Sequence, residues 1–406
     1  MNNSPIKNIF STPNLVALIT GLLLFSLAPQ QPIHERFSML ERVAPALVLL
    51  LITLYARRQE VRNWIIPIPL VLLLTIMAIS IAQMPQFFIV KDFFAFSLLT
   101  LFAIVAVSAL GATPVIWGAA ISSVLLVMTS LIYAALLPGI AFEELGQLKG
   151  AFYGSNSLAL SLVLLSPSLI VLTLKSTRFT YLLRAVLLLA VFAIIYFSTS
   201  RTALVLFIVM LLAWGLFLFV RNNWKAGLVA SSAGAMILLL VAIYWLPITS
   251  ALGKSADLSG RFPLWGVYLE AIFLKPILGY GWHMRTTPDM PLGNFIVQST
   301  GFPQINANND LLNWWALTGI FGVILTLLAL IYVISNGLRA RNLSATSRWV
   351  FLSGSVLLVA GFTELSTMHP DGWLLFSLAF VASSQASLRP ESSFNEILRT
   401  GSLSLK

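Results

Sequence analysis

The sequence predicts an all-α, polytopic integral membrane protein of about twelve transmembrane helices, a single membrane domain over residues 1–406 with one long extramembrane loop at Pro247–Asp310. Three observations predict it. Hydrophobic residues make up 58% of the chain and charged ones only 9%, with a mean hydropathy of +0.92; soluble domains carry roughly 25% charged residues. Apolar runs such as Asn14–Pro29, Trp64–Met84, Val115–Leu137 and Ala226–Leu246 are long enough to cross roughly 30 Å of hydrocarbon as helices. The alternating segments of a membrane β-barrel are not seen. Third, Pro247–Asp310 is the only long segment without such a run, and it holds Asp257, Arg261, Glu270, His283, Arg285 and Asp289 among prolines and glycines. A membrane protein with one such loop is expected to carry much of its chemistry there.

In order, helices are predicted near 14–29, 43–55, 64–84, 93–110, 115–137, 157–174, 181–198, 203–220, 226–246, 311–335, 349–366 and 373–387. Turn residues mark their ends: Pro29-Gln-Gln-Pro32 and Pro85-Gln86 on one side, Gly111-Ala-Thr-Pro114 on the other. The stretch Pro138–Ser157 carries Glu143, Glu144 and Lys149 and leads into Gly150-Ala-Phe-Tyr-Gly-Ser-Asn156-Ser-Leu-Ala159. Met1–Thr12 has one charge, Lys7, and runs into an apolar stretch of spanning length, so no cleavable signal peptide is expected. No internal repeat or low-complexity segment stands out.

The net charge of +10 is a topology signal. With the N-terminus inside, one set of loops collects fifteen cations and three acids, net +12; the other takes nine cations and eleven acids, net −2, and together these give the +10. The positive-inside rule then places both termini in the cytoplasm of a bacterial cell and Pro247–Asp310 on the periplasmic face of its inner membrane. No nucleic-acid patch is implied. The absence of cysteine excludes disulfides and cysteine-based metal sites or catalysis. His34, His283 and His369 are too scattered for a zinc cluster, so neither a metal nor a cofactor is expected.

Arg201, in Ser198-Thr-Ser-Arg-Thr202, sits at an outer helix end, where a cation needs water, a carboxylate or an anionic ligand; it could equally snorkel at the interface. Arg261, in Ser259-Gly-Arg-Phe-Pro-Leu-Trp265, opens an amphipathic segment, and its plainer role is an ion pair with Asp257 or Glu270. Two guanidiniums on one face would clamp a diphosphate bidentately. Pro276-Ile-Leu-Gly-Tyr-Gly-Trp-His283 has no βαβ context, so its Gly-x-Gly reads as a sharp turn, and His283 is more often structural than a base. In Asn306-Ala-Asn308-Asn309-Asp310, a helix N-cap accounts for one polar residue at most. Trp373 is read as an interfacial belt residue.

Together these motifs resemble the O-antigen ligase and polymerase superfamily. The resemblance rests on Ser200-Arg-Thr-Ala203, Ser259-Gly-Arg-x-x-Leu-Trp265, Pro276-x-x-Gly-x-Gly281 and Gly319-x-x-Gly322, joined by Gly150-x-Phe-x-x-x-Asn156-x-x-Ala159. It covers about Gly150 to Gly322, and its order and spacing carry more weight than any one motif. It implies a metal-independent transferase using an undecaprenyl-diphosphate-linked glycan as donor and lipid A–core oligosaccharide as acceptor, with lipids around it. Arg201 and Arg261 would hold the diphosphate, and Lys149, Asn156, Arg285, Asn309 and Asp310 would line the substrate site. An acceptor hydroxyl would attack the anomeric carbon with inversion.

The resemblance breaks at one point. The family's histidine, often within His-x-His-Asn, falls where this chain reads Asn306-Ala-Asn308-Asn309. A neutral amide is no general base near pH 7. Either the site is impaired there or another group serves, and His283, Asp310 and Glu364 are the candidates; Asn306 and Asn308 could still position an acceptor hydroxyl. Alternatives are a repeat-unit polymerase, a protein O-oligosaccharyltransferase, which usually carries a large soluble C-terminal part, and a lipid-linked glycan transporter. Transporters tend to pair their halves and place charges at mid-membrane; neither is seen in this sequence.

Overall fold

The structure is a computed structural model that describes residues 11–56, 65–83, 87–143, 146–172, 178–222, 261–283, 286–301, 306–339, 344–364 and 366–388. Every regular element among them is a helix: α1 (Thr12–Leu27), α2 (Gln31–Arg36), α3 (Met39–Ala56), α4 (Ile68–Ile81), α5 (Phe87–Leu110), α6 (Ala112–Leu136), α7 (Pro138–Ala141), α8 (Ser155–Val171), α9 (Arg178–Phe197), α10 (Arg201–Asn222), α11 (Arg261–Leu274), α12 (Pro291–Thr300), α13 (Asp310–Arg339), α14 (Ala345–Ala360) and α15 (Pro370–Leu388). Eleven of the twelve predicted positions hold helices, and 226–246 lies outside the described residues. Six helices, α3, α5, α6, α9, α10 and α13, are long and apolar enough to cross a membrane, and α1, α4, α8 and α14 are shorter apolar helices. The chain is a multi-pass membrane protein. The described part of the predicted long loop contains two helices, α11 and α12.

The connections predicted to share the outer side do meet at one end of the bundle. Gln31 N donates to Ala151 O at 2.8 Å and Leu148 N to Phe197 O at 3.0 Å. Gln83 Nε2 donates to Leu278 O at 3.3 Å, and Ser161 Oγ to Asp371 Oδ2 at 3.0 Å. At the other end Gln385 Nε2 donates to Val107 O at 2.9 Å and Ile65 N to Ser108 Oγ at 3.3 Å. Lipid offers no partners for such groups, so polar connections gather where they can satisfy one another.

Close helix contact comes from small residues. α1 and α6 cross at Gly21 and Gly118, where a Cβ on Gly118 would lie 2.6 Å from the Thr20 Cβ; small side chains at such crossings let backbones approach. Trp282, Trp314, Trp349 and Trp373 are fully buried. Trp373 lies 5.3 Å from the Phe96 ring and 6.0 Å from that of Trp314, and its Nε1 donates to Thr100 Oγ1 at 3.0 Å. It is therefore a core residue with a satisfied N–H, not a belt anchor.

The helix α13 breaks at Gly319, whose backbone is left-handed (φ 73°, ψ −171°). Breaking a helix in a membrane frees carbonyls and N–H groups that must find partners. The Pro276–Gly281 segment supplies them. Tyr280 N donates to Ala316 O at 2.8 Å, Gly281 N to Leu317 O at 3.1 Å, and Ile320 N to Pro276 O at 2.9 Å. Ser80 Oγ adds a bond to Leu317 O at 2.7 Å and accepts from Trp282 N at 2.8 Å. A Cβ at Gly319 would stand 1.8 Å from Ile277 O, so the two glycine motifs are one docking joint.

Candidate active site

Arg201 is placed by a local turn. Thr199 takes a left-handed backbone (φ 51°), and the Ser200 Oγ then accepts from Ala203 N at 3.4 Å, capping the next helix. Arg201 is thus the first residue of α10, where the free N–H groups of the first turn already carry partial positive charge. Arg261, the first residue of α11, comes near enough for the two guanidiniums to repel. Among the described residues one carboxylate pairs with Arg261. Glu364 Oε1 accepts from Arg261 Nη2 at 2.9 Å, with the side chains 15% (Arg261) and 13% (Glu364) exposed. Arg261 Nη1 also donates to Thr363 O. The nearby Glu270 is not the partner, and Asp257 lies outside the described residues.

Glu364 is held over the Asn306–Asp310 stretch by backbone and side-chain bonds. Asp310 N donates to Gly361 O at 2.8 Å and to Glu364 O at 3.2 Å. Asp310 Oδ2 accepts from Thr367 N at 2.6 Å, Ser366 Oγ at 2.7 Å and Thr367 Oγ1 at 3.0 Å. Asn309 caps α13, its Oδ1 accepting from Leu312 N at 3.1 Å, while its Nδ2 donates to Phe362 O at 3.0 Å. Both residues are buried, and their polar groups fix the loop that carries Glu364. Asn306 and Asn308 are half-buried, and Asn308 has a left-handed backbone (φ 47°) that asparagine tolerates. Between them the Ala307 carbonyl accepts from Trp265 Nε1 at 2.7 Å, which pins the Asn-x-Asn run to α11. Tyr268 on that helix is fully buried, and burial pushes its phenol above the usual range.

His283 stands apart in chemistry. It is 2% exposed, with Nδ1 2.8 Å from Gly281 O and Nε2 3.0 Å from Thr286 Oγ1. Burial lowers its pKa to about 4, so the ring is neutral at pH 7 and neither nitrogen is left for a substrate. Lys149 is half-buried and follows Leu148, whose bond to Phe197 O brings this loop to the Ser198–Arg201 turn. Asn156 is exposed in the first turn of α8. Ser161, on the same helix, is hydrogen-bonded to Asp371, just beyond the loop that carries Glu364. Arg285 lies outside the described residues.

A family model described as O-antigen ligase matches residues 185–327. That match supports a place in the O-antigen ligase and polymerase superfamily. The matched stretch takes in Arg201, Arg261, the Asn306–Asp310 run and both glycine motifs, while Lys149 and Asn156 precede it. Glu364 lies beyond it. No curated protein matches the chain by sequence. The match and the helical architecture support an O-antigen ligase or polymerase-type membrane enzyme.

Sequence reasoning names Glu364 as a candidate base but misses its partner Arg261, and it misses the bond from Trp265 to Ala307 O. The Arg261–Glu364 pair joins residues 103 apart, and no local spacing announces it. The only hint in the sequence was that Glu364 is one of few acids near a helix end, a signal shared by Asp371.

Proposed function

We propose that this enzyme transfers a glycan from undecaprenyl diphosphate onto lipid A–core at the periplasmic face of a bacterial inner membrane. The observation that carries the reading is that Arg201 and Arg261 act electrostatically on one another, while the one carboxylate paired with them among the described residues, Glu364, bonds to Arg261. Like charges held together at a helix start are costly without an anion. A diphosphate relieves that cost, and both guanidiniums can pair with its oxygens in the planar, bidentate way. During transfer, charge builds on the leaving diphosphate, so the same contacts strengthen where they lower the barrier.

In this reading the lipid tail lies between helices and the diphosphate meets Arg201 and Arg261. The acceptor hydroxyl approaches from the side of Asn306 and Asn308, whose amides orient it. Attack at the anomeric carbon opposite the leaving group inverts the configuration. Lys149 and Asn156 line the donor side. The twelve-helix topology, both termini in the cytoplasm and the Pro247–Asp310 region as the seat of the site belong to the same proposal.

A gel of lipopolysaccharide from a deletion strain tests it. Loss of the O-antigen ladder with lipid-linked polymer accumulating is the result expected of a ligase. A ladder cut to a single repeat would identify a polymerase instead, and an unchanged ladder would contradict both.

A further inference from the structure

We propose that Glu364 is the proton acceptor in the transfer reaction and that its ion pair with Arg261 is a resting state which the donor diphosphate undoes. The inference rests on the transferase reading above. Asn306 and Asn308 cannot accept a proton, His283 has both nitrogens occupied, and the Asp310 carboxylate is buried among Ser366 and Thr367. Glu364 is the carboxylate that reaches the arginine pair itself, at 2.9 Å from Arg261, and it is not sealed off. Its backbone is fixed through Asp310 N, and neighbouring Phe362 O through Asn309, so the side chain alone can swing while the loop stays in place.

The charges fit an exchange. With no donor, Glu364 neutralises one of two adjacent guanidiniums. A diphosphate brings more negative charge and a bidentate geometry, so it competes for Arg261 and releases the carboxylate, whose loop is tied to Asn309 and Asp310 at the end of the Asn-x-Asn run. The acceptor oxygen then bonds to the anomeric carbon as the bond from that carbon to the diphosphate oxygen breaks. The electron pair leaves with the lipid diphosphate, and the hydroxyl proton goes to the Glu364 carboxylate. The other titratable or charged groups around this loop are Arg261, Arg201, Asp310, Asp371 and His369, which is exposed on the same loop and close enough to act electrostatically on Asp310.

The test compares the parent with Glu364→Gln, Glu364→Asp and His369→Ala, purified in bilayer nanodiscs. Two readouts are taken: binding of undecaprenyl diphosphate, and turnover of lipid-linked glycan against pH. Glu364→Gln should bind the lipid diphosphate roughly two- to fivefold more tightly, since a competing charge on a partly exposed pair is gone. Its kcat should fall by ~10²-fold or more, and the loss of rate on acidification that a carboxylate base implies for the parent should vanish. Glu364→Asp should keep that low-pH loss at a reduced rate, and His369→Ala should keep both rate and profile. Parental turnover in Glu364→Gln, or binding no tighter than the parent's, would overturn the proposal, as would a low-pH limb that disappears with His369→Ala. A parent that transfers no glycan contradicts the transferase reading instead, and the binding arm still decides whether Glu364 guards Arg261.

Discussion

His283 is buried with both ring nitrogens hydrogen-bonded, and burial holds its pKa near 4 against an ordinary value of 6.5. Between those values the unfolded chain takes a proton that the folded one refuses. The unfolded state therefore binds more protons there, and stability rises with pH; acidification from pH 7.5 to 4.5 costs roughly 2–3 kcal/mol through this group. Thermal unfolding in detergent at the two pH values should show a larger drop for the parent than for His283→Gln. Equal drops would mean that the histidine is not held neutral. His283 and Asn309 both sit in motifs that invite a catalytic reading, yet the surroundings assign them to structure: one closes a turn, the other caps a helix. Asn306 and Asn308, half-buried, keep the exposure that a substrate contact needs.

At the scale of elements, the joint between Pro276–Gly281 and the break in α13 explains why Gly-x-Gly and Gly-x-x-Gly occur in one chain. Each glycine motif supplies the backbone that the other leaves unpaired. Gly319→Ala meets both a left-handed backbone and the Ile277 carbonyl. It should cost at least about 1–3 kcal/mol, seen as a lowered melting temperature and poor yield in detergent; a variant as stable as the parent would contradict the joint. Much of the architecture was legible in the sequence because hydrocarbon demands long apolar helices, and Asn14–Pro29 or Val115–Leu137 can be little else. That Arg201 and Arg261 open helices and lie within electrostatic reach of one another follows from motifs the sequence displays, since a cation at an apolar helix end needs a reason. The Glu364 partnership was not, because it depends on how the turn after α14 folds over the start of α13, a contact between segments distant in sequence. Trp373 was misread for a related cause. A tryptophan at a helix end looks interfacial until neighbouring helices cover it.

The bundle as a whole gathers one set of connections at one end, and that end carries the arginine pair, Glu364, Lys149 and the Asn306–Asp310 stretch. The lopsided loop charge predicts that this end faces the periplasm. Single cysteines at Asp289 and Ala56, both exposed, report on it in a chain with none of its own. A membrane-impermeant thiol reagent applied to outer-permeabilised cells should label the 289 variant and spare the 56 variant; the reverse pattern would invert the topology. The central claim, that Arg201 and Arg261 together hold the diphosphate of a lipid-linked glycan, is tested most directly by steady-state transfer in nanodiscs with the parent, Arg201→Ala and Arg261→Ala. Loss of one charged hydrogen-bonding partner should lower kcat/KM roughly ten- to hundredfold in each variant without unfolding it. Both variants turning over the lipid-linked glycan at the parental rate would contradict it.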